Sequence, residues 1–568
     1  MNEEPKKWLR SRRILRRCFY AIISLAALVL LFYAEEDWRG KRAWEQFKQH
    51  WEAKGERFDW ASVIPPPVPD NENFALAPIV FSSYAAYVDK EGRRINPPNT
   101  NAINRLQMSI PHKSEYQYLL PRDQITNFGK WQIAEWTDLI EWQSYFRTPP
   151  AQRGGYRTYS TSGKRDLPQP PPTNEFPVAP QPQTPAADVL LALSRYDAAI
   201  AELRQASRLP HSRFPLNYEK PEERLFAHHG SLDQCAGVLQ LRSVAELAAN
   251  RTDEALEDIK LALRLAESVR PEPFYNSQRA RIYIIGTTLQ PIWEGLAARR
   301  WSDSQLLALE SELSGLDFFS DYATTVRGQR ALASAEIDRL RRTHNESNAP
   351  EPADDQDNPR ELLSIGVERL LGFYFHSFPS GWYYQNQLRT CRAYTEELLP
   401  LLDAKTRTVS HVLVTNDMYN GYPISSMTDM TDRVQRPSSF ERRNTEWWSI
   451  FTDAYSILES MVMYGVSAGQ FAYAQGSTDL ARVACALERY RLSQGEYPAS
   501  LDALVPRFMD KLPHDLINGQ PLHYRLTDNR QFVLYSVGWA NRDEHGKVRY
   551  AHDQFGDVRN GNWVWRYP

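Results

Sequence analysis

The hydrophobic pattern of the chain begins with one long apolar run and then changes to segments of helical periodicity. The run, residues 18–34, reads CFYAIISLAALVLLFYA and has no charged side chain over 17 positions. At about 1.5 Å per residue, such a helix spans about 25 Å of a hydrocarbon layer about 30 Å thick. The pattern predicts a transmembrane helix over residues 18–34 that contacts the lipid bilayer.

Charged residues flank this run unequally. Glu35, Glu36 and Asp37 follow it, and the basic residues before it are Lys6, Lys7, Arg10, Arg12, Arg13, Arg16 and Arg17. Basic flanks stay in the cytoplasm, so we expect residues 1–17 to be a cytoplasmic tail and the rest of the chain to lie outside the inner membrane. A cleaved signal peptide is the alternative. A cut after Ala34 would place Phe32 where a small residue is expected, which favours an uncleaved anchor.

Residues 35–64 have apolar positions at roughly helical spacing between charges, at Trp38, Ala43, Trp44, Phe47 and Trp51. This spacing predicts an amphipathic juxtamembrane helix, which the prolines from Pro65 onward would end. Residues 65–185 are rich in proline, with ten prolines from 149 to 185. That composition predicts an irregular linker or wrapping arm, with one helix at about residues 131–146.

From residue 186 to 343 the pattern is helical throughout. Two segments share a spacing of small and apolar residues, Ala199, Leu203, Ala206 and Ala255, Ile259, Ala262. The spacing resembles the second helix of a tetratricopeptide hairpin, although the copies are 255 − 199 = 56 residues apart and that repeat has 34. Ordinary helix-bundle packing is the alternative. Ser302 and Gln305 predict a capping box at the start of a further helix.

Three more segments complete the predicted order. Residues 344–359 are acidic and contain prolines, a composition that predicts a disordered loop. Residues 360–477 predict a second helical part, which includes a polar loop at about 415–444. A long helix then ends near Gln494, and one face of it carries Leu480, Val483, Ala484 and Leu487.

The last 91 residues, 478–568, predict a small α+β module. Gly495 is placed to cap the long helix, Ser500 to begin a short one, and the pair Asn518-Gly519 to make a tight turn. Residues 522–526 and 531–538 then alternate as two antiparallel strands. The predicted fold class is therefore mainly α: one transmembrane helix, a body of helical hairpins and a small C-terminal module with an antiparallel sheet.

This C-terminal order resembles the major pseudopilin of type II secretion systems. The matching segments are TDLARVACALERYRLSQGEYPASLDALVP, KLPHDLINGQPLHY, FVLYSVG and GNW, within residues 478–568. The resemblance implies a calcium loop, for which the candidate ligands are Asn541, Asp543, Asp553 and Asp557, all hard oxygen donors. The N-terminal processing signal of that family is absent from residues 17–34. Residues 36–80 and 236–330 resemble uncharacterised membrane-anchored proteins of bacteria.

Composition narrows the function classes. Lys and Arg number 67 against 70 Asp and Glu, so the net charge of −3 gives no sign of a nucleic-acid partner. The four cysteines are Cys18, Cys235, Cys391 and Cys485, which are too far apart for the paired spacing of a zinc site. No cofactor is therefore assigned beyond the calcium candidates.

One short motif suggests catalysis. GVSAG, residues 465–469, fits the G-x-S-x-G pattern of serine hydrolases, with Ser467 as nucleophile and His514, Asp515 or His552 as partners. The preceding chain is helical, whereas that motif needs βα units before it. Adjacent His228 and His229 would point about 100° apart on a helix and could not easily share one metal ion, so we expect surface or capping histidines there. Trp382, Tyr383, Tyr384, Trp447 and Trp448 can stack on sugars or fill a core.

These patterns favour a membrane-anchored interaction or scaffold protein of the bacterial envelope, with protein partners outside the cytoplasmic membrane and no assigned catalytic activity. Two alternatives stay open. One is an extracytoplasmic serine hydrolase that uses Ser467, and the other is a calcium-stabilised binding module related to secretion.

Overall fold

The structure is a computed structural model of the 568-residue chain. It describes residues 4–108, 110, 130–149, 176–221, 224–344, 379–410, 468–539, 541–548 and 561–568. The predicted acidic loop at 344–359 and the polar loop at about 415–444 lie almost wholly outside these residues.

The described elements are mainly helical, with two small antiparallel sheets. The helices are α1 Glu4–Glu52, α2 Pro78–Ser82, α3 Leu139–Arg147, α4 Pro185–Leu193, α5 Asp197–Ala206, α6 Ala227–Ala248, α7 Thr252–Ser268, α8 Tyr275–Ala297, α9 Asp303–Ser314, α10 Phe318–His344, α11 Ser380–Arg392 and α12 Ala468–Gln494. The strands are β1 Leu402–Asp403, β2 Thr408–Val409, β3 His523–Leu526, β4 Phe532–Ser536 and β5 Trp563–Arg566. The predicted fold class is confirmed.

The chain divides into two compact units, each made of separate sequence segments. Unit 1 contains residues 1–63, 327–397 and 444–464, and unit 2 contains residues 64–326, 398–443 and 465–568. The C-terminal residues predicted as a module therefore belong to the same unit as α2 to α9.

Helix α1 is continuous from Glu4 to Glu52. The sequence predicted a transmembrane helix over 18–34 and an amphipathic one over 35–64; the structure joins them in one helix, which ends at Glu52. The charges at residues 35–37 change the polarity of the surface but do not interrupt the backbone hydrogen bonds of a helix. Within the described residues, the segment from Leu15 is long and apolar enough to cross a membrane, and none of its apolar window is buried.

The far end of α1 packs in unit 1. Trp44 and Phe47 of α1, Phe58 and Cys391 form a buried cluster, and Trp51, Tyr384 and Leu388 pack against it. Trp38 is 61% exposed, whereas Glu36 and Gly40 beside it are buried. At 100° per residue, Trp38 lies on the opposite side of the helix from Phe47. The predicted amphipathic face is therefore present, but Trp38 does not belong to it.

In unit 2, helices α6, α7 and α8 pack on one another. Three residues join α6 to α7, a connection short enough for a helical hairpin. Ala255, Ile259 and Ala262 of α7 are buried, as their spacing predicted. Helix α9 begins with the predicted capping box, in which Ser302 Oγ accepts from the Gln305 backbone and the Gln305 side chain accepts from the Ser302 backbone.

Helix α12 is buried along most of its length and packs against α8 and α9. Its predicted apolar face, Leu480, Val483, Ala484 and Leu487, is fully buried. Gly495 ends the helix with φ +89°, a conformation that favours glycine. Ser500 precedes the 3₁₀ turn Leu501–Leu504, but its side chain makes no capping hydrogen bond.

The C-terminal sheet has the order β3-β4-β5, with both neighbouring pairs antiparallel. The tight turn at Asn518-Gly519 is present, with Gly519 at φ +70°, and it closes a loop bridged between His514 and Pro521. The hairpin between β3 and β4 turns later, where the Thr527 N–H donates to the Gln531 carbonyl oxygen over 2.8 Å. The third strand, β5, was not predicted.

Residues of the proline-rich region pack onto the helices of unit 2. The Phe74 N–H donates to the His211 carbonyl oxygen over 2.8 Å, and Asn73 Oδ1 accepts from the Arg213 N–H over 2.9 Å. Phe74 and Tyr84 are buried. The described part of this region is thus a packed arm with short helical turns, and its helix α3 begins at Leu139, eight residues later than predicted.

Candidate functional site

Two adjacent histidines at the start of α6 meet one carboxylate from another part of unit 2. His228 and His229 are the second and third residues of α6, which begins at Ala227. His228 Nε2 lies 2.9 Å from Glu272 Oε1, and His229 Nε2 lies 3.4 Å from Glu272 Oε2. Each carboxylate oxygen therefore has its own imidazole.

Glu272 lies in the short connection between α7 and α8, between Pro271 and Pro273. The Glu272 N–H donates to the Val269 carbonyl oxygen over 3.1 Å, and the Glu272 carbonyl oxygen accepts from Gln278 Nε2 over 3.2 Å. The Ser277 hydroxyl donates to Glu272 Oε2. The backbone and the side chain of Glu272 are thus both fixed by hydrogen bonds.

Aromatic rings hold the two imidazoles in place. Phe214 stacks on His228 with ring centroids 3.9 Å apart and an interplanar angle of 12°. Phe226 stacks on His229 at 4.8 Å and 15°. Tyr84 meets the His228 ring edge-on at 6.0 Å, and its hydroxyl donates to the Ala75 carbonyl oxygen over 2.5 Å. Stacking of this kind restricts the rotation of both rings.

The cluster is buried, and solvent reaches it from one side. The side chains of His228 and Glu272 are 3% and 2% exposed, whereas that of His229 is 13% exposed. Burial lowers the pKa of His228 and so favours the neutral ring. Burial acts to raise the pKa of Glu272, but the two histidines outweigh it and bring that pKa to about 2. Glu272 is therefore an ionised carboxylate.

Asp233 lies one helical turn beyond His229 on α6. Burial raises the pKa of Asp233 to about 7, against the attraction of His229 and Arg279. The neighbourhood of the histidines therefore contains a second carboxyl group whose charge is disfavoured by burial.

The arrangement determines which chemistry is available. In a Ser-His-acid triad the histidine takes the proton of the serine. Here the Ser277 hydroxyl donates to the Glu272 carboxylate and not to a histidine. Two imidazole nitrogens and one carboxylate oxygen within 4.8 Å of one another are a donor set that can hold a metal ion of the zinc class.

The expectation of surface or capping histidines was wrong. His228 is buried, and both Nε2 atoms reach the same carboxylate even though the residues are adjacent. An angle of 100° separates only the directions in which two adjacent side chains leave a helix. The imidazoles extend far enough beyond Cβ for their ends to converge, with ring centroids 4.4 Å apart.

The predicted hydrolase residues are only partly described. Ser467 and His552 lie outside the described residues. His514 Nε2 lies 3.0 Å from the Arg407 carbonyl oxygen. Asp515 is fully buried and accepts hydrogen bonds from the Ser536 hydroxyl over 3.0 Å and from the Val537 N–H over 2.7 Å. Asp515 thus ties the Asn518-Gly519 turn to the end of β4.

Of the four predicted calcium ligands, the structure describes two, Asn541 and Asp543. Asp553 and Asp557 lie outside the described residues, and Asn541 is exposed with φ +46°. Asp543 Oδ1 accepts from the Tyr535 hydroxyl over 2.9 Å and from the His545 N–H over 2.8 Å. Asp543 therefore already has protein partners, and the calcium loop stays a prediction.

The aromatic residues considered for sugar binding also have packing roles where they are described. Trp382 Nε1 donates to Glu36 Oε2 over 3.1 Å, Tyr383 is buried, and Arg341 lies over the Tyr384 ring at 4.9 Å. Trp447 and Trp448 lie outside the described residues.

Comparison with known families, curated proteins and solved structures gives no match for this chain. The likeness to the major pseudopilin and to tetratricopeptide helices therefore stays a prediction. What the site can do rests on its own geometry.

Sequence reasoning missed Glu272 as a partner of the histidines. The contact joins residues 44 positions apart, across all of α6 and α7. One local signal was available in the sequence: a single acidic residue between two prolines, in the segment Arg270 to Phe274 that follows an amphipathic helix. A charged residue held in such a rigid turn points to a specific partner.

Proposed function

We propose that the protein is a single-pass anchor protein of the bacterial inner membrane, with a cytoplasmic N-terminus and an extracytoplasmic body that binds other envelope proteins. The observation that carries this proposal is the continuity of α1, which passes without a break from a fully exposed apolar surface into the buried core of unit 1.

The exposed apolar surface of α1 requires a covering. Leu25, Leu28 and Leu30 are 63%, 64% and 70% exposed, within an uninterrupted apolar stretch. Water-soluble proteins rarely expose contiguous apolar patches of more than a few hundred Å². The length of the stretch matches the hydrocarbon layer of a bilayer, and this match supports lipid as the covering.

The residues directly after the apolar run support an uncleaved anchor. Glu36 is buried and accepts from Trp382 Nε1, and Asp37 Oδ1 accepts from the Gly381 N–H over 2.6 Å. A cut after Ala34 would create a new amino terminus one residue before Glu36. The first turn of a helix has unpaired N–H groups and frays, so these contacts would be lost or weakened.

The orientation rests on the basic residues before the run and the acidic ones after it. We expect alkaline phosphatase fused at residue 568 to be active in a bacterial host, and a fluorescent protein that folds only in the cytoplasm to stay dark there. Both fusions should remain in the membrane fraction after carbonate extraction. The opposite pattern of reporters would reject this topology.

A matched pair of variants tests the anchor itself. Leu25→Arg with Leu28→Arg places two charges near the centre of the span, at a cost of roughly 2.5–3.5 kcal/mol each. We expect this variant to leave the carbonate-resistant fraction. Glu45→Arg with Lys48→Glu alters the same helix beyond the span and should stay in that fraction.

The binding role is tested on the surface of unit 2. Leu307 of α9 is 48% exposed, whereas its neighbour Leu306 is buried. A photo-crosslinking amino acid at exposed positions such as 307 should give discrete adducts with envelope proteins in cells, and the same group at 306 should give none. Absence of adducts across all exposed positions tried would count against a scaffold.

A further inference from the structure

The cluster of His228, His229 and Glu272 has the geometry of a metal site, and this inference is independent of the proposed scaffold role. Two donor atoms that are each about 2.0–2.2 Å from one ion, at angles of 90–109°, are about 2.9–3.5 Å apart. His228 Nε2 lies 2.9 Å from Glu272 Oε1, and His229 Nε2 lies 3.4 Å from the other carboxylate oxygen, Oε2. Each distance is one that two ligands of the same ion can have, and one donor atom from each of the three residues lies within 4.8 Å of the others.

The donor atoms also match one class of ion. Imidazole nitrogen with carboxylate oxygen suits zinc and other late first-row divalent ions, whereas calcium and magnesium take oxygen donors only. The cluster thus offers two nitrogen donors and one oxygen donor, a mixed set that zinc accepts.

The surroundings supply the support that metal ligands need. Stacking by Phe214 and Phe226 fixes the two rings, and the Ser277 hydroxyl holds the second oxygen of Glu272. Such outer contacts orient ligands and add to metal affinity. Because the side chain of His229 is 13% exposed, an ion and a solvent ligand can reach the cluster from that side.

We propose that His228 Nε2, His229 Nε2 and Glu272 bind one divalent ion of the zinc class, with solvent as the fourth ligand. The three donor atoms lie within 4.8 Å of one another. The ion would join the start of α6 to the α7–α8 connection and so fasten three helices at one end.

The first measurement uses the purified full-length chain in detergent. Bound metal is first removed, and the protein is then loaded with Zn²⁺ and dialysed. We expect it to retain about one equivalent of Zn²⁺. With Co²⁺ in place of Zn²⁺, we expect the intense visible bands of a tetrahedral site with nitrogen and oxygen ligands. A wild-type chain that retains no Zn²⁺ and gives only the spectrum of hydrated Co²⁺ would overturn the proposal.

Variants assign the ion to this cluster. Glu272→Gln and His229→Ala should each weaken Zn²⁺ binding about tenfold or more, and His545→Ala, an exposed histidine elsewhere in unit 2, should bind as the wild type does. His229 is the most exposed ligand, so His229→Gln provides the test where Glu272→Gln fails to fold. Binding by His229→Gln equal to that of the wild type would contradict the assignment.

A thermal measurement separates a metal site from a hydrogen-bonded cluster. A zinc-selective chelator should lower the melting temperature of the wild type by a few degrees and leave that of His229→Gln unchanged, because a ligand stabilises only the state that binds it. Two results would indicate that the cluster is held by hydrogen bonds alone. The chelator would shift the melting temperature of both proteins equally, or saturating Zn²⁺ would leave the melting temperature of the wild type unchanged.

Discussion

Gly40 of α1 and Gly381 of α11 face each other with no space for a side chain between them. A β-carbon on Gly40 would overlap the Gly381 carbonyl group, and one on Gly381 would overlap the carbonyl group of Glu36. The two backbones are therefore in direct contact a few residues beyond the apolar run. This contact fixes how α11 lies against α1 within unit 1.

We expect Gly381→Ala to destabilise the protein by about 1–3 kcal/mol, because the added methyl group must push two backbones apart. Thermal unfolding of the detergent-solubilised chain measures this. Gly237→Ala in α6 is the matched control, because a β-carbon there meets no atom within 4 Å. It should be neutral or raise stability by up to about 1 kcal/mol. Equal effects of the two variants would contradict the close crossing.

A buried ion-pair network in unit 1 predicts a dependence of stability on pH. Glu56 Oε2 lies 2.6 Å from Arg330 Nη2, and Glu56 Oε1 lies 2.8 Å from Arg327 Nη2. The Arg330 side chain is 0% exposed. Glu56→Gln should cost about 3–5 kcal/mol, because it leaves the buried Arg330 without its carboxylate. Glu45→Gln, in an exposed pair with Lys41, should cost under about 1 kcal/mol.

The direction with pH follows from the same contacts. Burial acts to raise the pKa of Glu56, but its hydrogen bonds and charge attraction with Arg327 and Arg330 outweigh burial and hold that pKa below its ordinary 4.5. Ionised Glu56 thus stabilises the fold above pH 4.5, and this contribution is lost as the pH falls through the lowered pKa. The difference in the free energy of unfolding between wild type and Glu56→Gln should therefore shrink as the pH falls below 4.5. A difference that stays constant from pH 7 to pH 3 would contradict the stabilising role of ionised Glu56.

Asp515 tests a structural role against a catalytic one. Its carboxylate accepts from the Val537 and Ile517 N–H groups over 2.7 and 2.9 Å. Asp515→Ala should lower stability by about 2–4 kcal/mol, because two buried donors lose their acceptor. Asp528→Ala, at an exposed position in the β3–β4 turn, should have little effect. If Asp515→Ala melted at the same temperature as the wild type, the structural role of Asp515 would be contradicted.

The hydrolase hypothesis for Ser467 has a direct test. A scaffold without a nucleophile should show no labelling of the purified chain by a fluorophosphonate probe. Ser467→Ala should then give the same result as the wild type. Labelling that is present in the wild type and lost in Ser467→Ala would favour the hydrolase instead.

Local signals explain most of what the sequence predicted correctly. The capping box of Ser302 and Gln305 depends on residues three positions apart, and the start of α9 was predicted to the residue. The buried face of α12 follows from its 3.6-residue period, and Gly495 ends the helix because of its positive φ. Each of these features is determined within one or two turns of chain.

Features that join distant residues were missed. The contact of His228 with Glu272 depends on how α7 returns beside α6, and no local pattern specifies the partner of a buried histidine. The pairing of β4 with β5 likewise joins Ser536 to Trp563, which lie 27 positions apart, and residues 540 and 549–560 between them lie outside the described residues. The end of α1 at Glu52 was also missed, because the prolines from Pro65 onward predict a later end for the helix.

Helix α1 contains 49 residues and is about 74 Å long if straight. Helix α1 has no proline after Pro5, and Gly40 packs directly against Gly381, so no flexible joint lies between the apolar segment and the rest of unit 1. When that segment lies in a bilayer, its tilt and its rotation about its own axis are transmitted directly to unit 1. A partner that rotates the apolar segment about its axis would therefore rotate the rest of unit 1 by the same angle.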